Sequence, residues 1–109
     1  MLPPGSVVVV HLQNPTEKVW GVLQDLDLTG VVLLGIHLST FDDWVGQVAG
    51  STSPSIGLST SFVPMSRIER VFLDEQNGEV ESYRQQFERR VGMPVETWMG
   101  LSDGGKLPS

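Results

Sequence analysis

Two short segments of this chain are apolar at every position. They read Val-Val-Val-Val over residues 7–10 and Val-Val-Leu-Leu over residues 31–34. Both are too short for an independent helix, and their β-branched residues favour strands. A strand with one face in water alternates apolar and polar residues. These segments therefore predict strands that must be covered on both faces.

The length of 109 residues suits one small domain. We assign residues 1–92 to that domain and residues 93–109 to a tail that contains glycine and proline. Cysteine is absent, which excludes disulfides, thiolate metal sites and cysteine nucleophiles. The same absence favours a reducing, cytoplasmic location. Neither a leader peptide nor a membrane span is expected, because the apolar runs are too short.

Turn residues divide the chain into five predicted strands and one predicted helix. The strands are expected at residues 7–12, 18–26, 31–38, 58–65 and 69–73. The helix is expected at residues 79–91, where Val80, Tyr83, Phe87 and Val91 recur at helical spacing. Gly92 is suited to end it.

Residues 40–49 are ambiguous. Thr40 is suited to cap a short helical turn, and an extension of the third strand fits equally well. We interpret the segment as a loop whose Phe41 and Trp44 fold back on the sheet.

The third predicted strand carries more apolar surface than one face requires. Its even-numbered residues are expected to fill the interior, which leaves Val31 and Leu33 facing outward. A chain this short offers only one layer of core. The surplus therefore needs a covering helix or a partner subunit. We expect a second copy to contribute, through an interface of Val31, Leu33, Phe62, Val63, Val71 and Phe72.

Two stretches resemble the paired motifs of the Sm/LSm family, including its Hfq-like bacterial branch. Residues 21–34 place a strand glycine, an acidic turn and an apolar strand in succession. Residues 62–73 place Ile68 after a tight turn and before a short last strand. The resemblance implies a mainly β fold, namely a five-stranded, strongly bent antiparallel barrel of the SH3-like or Sm-like type. Here one C-terminal amphipathic helix would follow the barrel.

The resemblance also implies a homo-oligomeric ring in which the fourth strand of one subunit pairs with the fifth of the next. We therefore expect a non-enzymatic oligomerising module without a cofactor. RNA binding is the alternative, with Asp27, Thr29 and Arg67 at the places of the family's contact loops. The family's Asn is missing after Asp27, however, and a net charge of −6 disfavours phosphate binding.

A small metal protein or enzyme centred on His11 and His37 is the second alternative. Both histidines lie on predicted strands, and they would meet if the first and third strands were neighbours. A zinc site needs further ligands, and none is evident nearby. Asp27, at the entry to a turn, is expected instead to cap that turn.

The tail contains costly apolar side chains, namely Trp98, Met99 and Leu101. Each gains about 1.5–3 kcal/mol on burial. The tail therefore either packs back on its own domain or docks on a neighbouring subunit or another partner.

Overall fold

The chain folds around one antiparallel sheet. The computed structural model describes residues 2–50 and 55–100, so the predicted tail beyond residue 100 lies outside the described residues. The sheet has the order β4-β3-β2-β1-β5. Its strands are β1 (Val7–Leu12), β2 (Glu17–Leu26), β3 (Gly30–His37), β4 (Ser59–Pro64) and β5 (Ile68–Leu73). The prediction of a mainly β chain with five strands is confirmed.

Within residues 2–50 and 55–100, three α-helices accompany the sheet, so the prediction of a single helix after the strands is wrong. They are α1 (Leu38–Gly50), α2 (Tyr83–Val91) and α3 (Val95–Trp98), and a 3₁₀ turn, Met65–Arg67, joins β4 to β5. None of the helices in residues 2–50 and 55–100 has the length and apolar character needed to cross a membrane.

Helix α1 occupies the segment that we interpreted as a loop. Phe41, Trp44 and Val45 are its buried residues, at spacings of three and one along the chain. These positions share one helical face, and packing that face on the sheet supplies the stability that the local sequence lacks. The expectation that Phe41 and Trp44 fold back on the sheet is confirmed.

Helix α2 begins four residues later than its apolar spacing indicated. The Ser82 hydroxyl accepts a hydrogen bond from the Gln85 backbone N–H, and the Gln85 side chain accepts one from the Ser82 N–H. This capping box satisfies two backbone donors at once and fixes the first turn. Gly92, in the left-handed conformation, ends the helix as predicted.

Strand β1 is buried on both faces. Val7 and Val9 pack into a cluster beneath the helices, which also contains Trp20, Trp44 and Phe87. Val8 and Val10 pack into a second cluster on the other face. Because successive strand residues point to opposite faces, the run of four valines contributes to both clusters.

The expectation that Val31 and Leu33 are left facing outward is wrong. Both are completely buried, beside Leu23 in the second cluster. All five strands contribute apolar side chains to this cluster, and no helix does. The apolar surface that Val31 and Leu33 contribute to β3 is therefore covered within one chain, whereas Val32 and Leu34 are only half-buried.

A buried carboxylate joins the sheet to helix α2. Asp74, directly after β5, accepts hydrogen bonds from Trp20 Nε1 at 2.9 Å, from the Tyr83 N–H at 2.9 Å and from the Arg84 N–H at 2.8 Å. Only 4% of Asp74 is exposed. The helix N-terminus stabilises this negative charge, which in turn satisfies donors that the helix leaves free.

Two glycines face each other where β2 and β3 approach most closely. An added Cβ at Gly21 would lie 2.3 Å from the Leu34 carbonyl oxygen and 2.5 Å from the Gly35 Cα. Both obstacles are backbone atoms, so no side-chain rotation relieves the clash. A glycine inside a strand often marks a bulge, but the register shift of β2 lies between Leu23 and Asp25 and not at Gly21.

We expect Gly21→Ala to lower the free energy of unfolding by about 3 kcal/mol, because the backbone of two central strands must move apart. Gly46→Ala is the matched control. An added Cβ at Gly46, in α1, meets only the Arg90 guanidinium at 3.6 Å. That control should gain about 0.5–1 kcal/mol from helix propensity. Urea unfolding measures both, and equal stabilities would contradict the account.

Candidate functional site

The outer edge of β4 offers free backbone hydrogen-bonding groups. Leu23 donates its N–H to the Ser6 carbonyl at 2.8 Å and accepts from the Gly5 N–H at 2.7 Å. Both of these bonds run to the β1 side of β2. Backbone groups alternate sides along an antiparallel strand. Leu33, the partner of Leu23, therefore directs its N–H and C=O away from β2 and toward β4.

The alternation continues into β4. Ser61 is the partner of Leu33, so its backbone groups bond to β3. The residues on either side, Thr60 and Phe62, consequently point their N–H and C=O groups outward. The backbone hydrogen bonds outside the strand ladders involve neither of them in the part of the chain that the structure describes. Pro64 contributes a carbonyl but no donor.

The outer edge of β5 has the same property. Asp74 donates its N–H to the Val7 carbonyl at 2.9 Å, so at this position the strand bonds toward β1. By alternation, Leu73 and Val71 direct their backbone groups away from the sheet. Strands β4 and β5 stand at opposite ends of the strand order and do not pair with each other.

The two edges differ in their side chains. Strand β4 reads Ser-Thr-Ser-Phe-Val-Pro and carries no charge, whereas β5 carries Glu69 and Arg70. Phe62 is 55% exposed and Leu73 is 41% exposed. Edge strands that do not pair are usually protected by charges, bulges or proline. Of these protective features, strand β4 has only a proline, Pro64, at its end.

The six predicted interface residues lie in different surroundings. Val63 and Val71 pack against the cluster that buries Val31 and Leu33, and Phe72 packs against the cluster beneath the helices. Phe62 alone is exposed. Side-chain periodicity therefore identified one exposed residue at a sheet edge, Phe62. The free backbone groups of β4 and β5 follow only from the observed register.

The residues expected at an RNA surface have partners within the chain. The Asp27 carboxylate accepts from the Thr29 hydroxyl at 2.6 Å and from the Thr29 N–H at 2.7 Å, which confirms its role as a turn cap. These bonds hold the pKa of the Asp27 carboxyl below its usual range. Arg67 donates to the Gln13 and Pro15 carbonyls and lies 3.5 Å from the Glu17 carboxylate.

The structure does not bring His11 and His37 together. Strand β2 lies between β1 and β3, with Lys18 opposite His11 and Val19 opposite His37. Neighbouring residues of β2 point to opposite faces, and so do their partners. No group of three or more His, Cys, Asp or Glu side chains able to hold a metal ion occurs within residues 2–50 and 55–100.

The described part of the tail packs on its own domain. Trp98 meets Trp44 and Phe87 edge-on, with ring centroids 5.6 and 5.8 Å apart. Val95 and Met99 are buried. Two roles were left open for this segment, packing on its own domain or docking on a partner. The contacts up to residue 100 are those of a segment that packs on its own domain.

We compared the chain with protein-family models, with curated proteins and with solved structures, and none of the three comparisons gives a match.

The imidazole of His11 makes stability depend on pH. Burial lowers the pKa of His11, and the positive charges of Lys18 and Arg70 lower it further, against a smaller opposite effect of Glu69. Its ring packs edge-on against Phe72, with centroids 4.9 Å apart. The folded state thus disfavours the protonated form.

Below the ordinary histidine pKa of about 6.5, His11 is protonated in the unfolded chain. In the folded chain it stays neutral until a lower pH. The contribution of His11 is therefore complete above that pH and is lost as the pH falls toward the folded-state pKa. We expect the natural chain to lose more stability than His11→Gln between about pH 7.5 and pH 5.5. Urea unfolding across this range checks it, and parallel curves for the two chains would contradict it.

Proposed function

We propose that this chain is a non-enzymatic module that assembles with further copies through the two open edges of its sheet. In this proposal β4 of one copy pairs antiparallel with β5 of the next. The observation that carries it is the pair of unpartnered edges, one of them uncharged. Each copy has one edge of each kind, so successive contacts are head-to-tail, and we propose that they close into a ring rather than continue as an open filament.

The outward-facing groups of the two edges are complementary. When Phe62 is set opposite Val71 of the next copy, Thr60 falls opposite Leu73. All four residues direct their backbone groups outward, so both pairs can exchange two hydrogen bonds. Partners across a ladder share a face. The exposed Phe62 ring would then lie beside Val71 and Leu73 of the neighbour and lose its contact with water.

We further propose that the sheet is the strongly bent barrel of the SH3-like or Sm-like type. Apolar side chains from all five strands meet in one cluster to which no helix contributes. A flat sheet does not bring its two outermost strands to a common core. A single 3₁₀ turn between β4 and β5 supports the same architecture, because it permits an abrupt change of strand direction.

The first test blocks the edge of β4. Thr60→Pro removes an outward N–H and leaves the bonds to β3 intact. We expect sedimentation at tens of micromolar to give a multiple of the chain mass for the natural protein and the mass of one folded chain for the variant. Phe62→Lys should act similarly, since an edge charge opposes pairing. Val80→Lys, at an apolar position 70% exposed and outside the strands, is the control and should assemble normally.

The second test determines which residues of β4 and β5 lie opposite each other in the contact between copies. The natural chain has no cysteine, so a double variant with Thr60→Cys and Leu73→Cys has a clean background. Oxidation should give a ladder of covalent oligomers, while each single variant stays monomeric on a denaturing gel. A natural chain that sediments as a monomer would refute the proposal. Crosslinking of Thr60→Cys alone would replace it with pairing of β4 with β4.

A further inference from the structure

The turn between β2 and β3 holds an exposed leucine in a rigid frame. Leu28 is 95% exposed, at a position where turns usually carry polar residues or glycine. The Asp27 carboxylate fixes the turn through its bonds to Thr29 and a longer contact of 3.3 Å with the Gly30 N–H. The Asp27 N–H also donates to the Gly30 carbonyl at 3.1 Å. The backbone at Leu28 is thus held in place, so little backbone freedom remains to be lost on binding.

Two more exposed apolar side chains adjoin this turn. The Met65 N–H donates to the Thr29 carbonyl at 2.9 Å, which ties the turn to the end of β4. The Phe62 ring covers Gly30, because an added Cβ there would lie 2.8 Å from the ring. Phe62 is 55% and Met65 is 39% exposed. Leu28 and Met65 together form what we call the turn corner, and the Phe62 ring at the β4 edge borders it.

The exposed charged side chains next to Leu28 are acidic. Asp25 and Asp27 are exposed at its rim, and residues 24–34 and 55–66 contain no lysine or arginine. Arg67, two residues after Met65, is bound to the β1–β2 turn. An apolar surface with an acidic rim attracts apolar partners that carry positive charge, and it disfavours RNA and anionic lipid.

We infer that the turn corner is a docking surface for a cationic amphipathic segment of another protein, with Leu28 entering the apolar side of that segment and Asp25 and Asp27 facing its lysines or arginines. This inference does not rest on the assembly of the chain. The turn corner is complete in a single copy, and Leu28 belongs to neither edge strand.

The probe is a synthetic peptide of leucine and lysine, about 14 residues long, whose leucines share one helical face. We expect Leu28→Ser to weaken its binding to the full chain about ten-fold or more, as suits the loss of a buried leucine. Asp25→Asn should weaken it less, and mainly at low salt. Val80→Ser removes an exposed apolar side chain elsewhere and should leave the dissociation constant unchanged.

Fluorescence anisotropy measures these constants, and sedimentation of Leu28→Ser reports assembly separately. Weakened peptide binding with unchanged assembly supports the inference. Equal affinity of the natural chain and Leu28→Ser would overturn it, as would equal affinity for a peptide with glutamate in place of lysine. Binding to anionic vesicles or to RNA that Leu28→Ser abolishes would also overturn it, by assigning the turn corner to a different partner.

Discussion

The burial of β1 on both faces is the constraint on which the rest of the structure depends. Its four consecutive valines leave no face for water, so the chain must build a layer on either side of the strand. The helices supply one layer, and the outer strands supply apolar side chains to the other. Burial of each valine contributes roughly 1.5–3 kcal/mol, which outweighs any single polar contact at the surface.

Much of the fold could be predicted from local patterns. The five strands follow from β-branched runs and turn residues, and the spacing of Tyr83, Phe87 and Val91 identifies α2. Helix α1 was missed, although Phe41, Trp44 and Val45 have helical spacing, because Thr40 and two glycines weaken the local preference. Packing on Trp20 decides in favour of the helix, with ring centroids of Trp20 and Phe41 only 5.1 Å apart.

The exposed edges could not be read from side-chain patterns. Which residues of β4 point their backbone groups outward depends on the registers that pair Leu23 with Leu33 and Leu33 with Ser61. Nothing in the pattern of side chains fixes these registers. The sequence correctly predicts that the apolar strands must be covered on both faces. It does not identify what covers them, because Val31 and Leu33 are shielded by their own chain. Association therefore no longer follows from surplus apolar surface, and the case for it rests on free backbone groups.

Amide hydrogen exchange, resolved by residue, tests the proposed edge contact most directly. Outward and inward amides alternate along β4 and β5, so an edge contact must protect every second amide. Raising the protein concentration should slow the exchange of Thr60, Phe62, Val71 and Leu73, while Ser61, bonded to β3 in a single copy, stays unchanged. Exchange at these four amides that is independent of concentration would contradict the account.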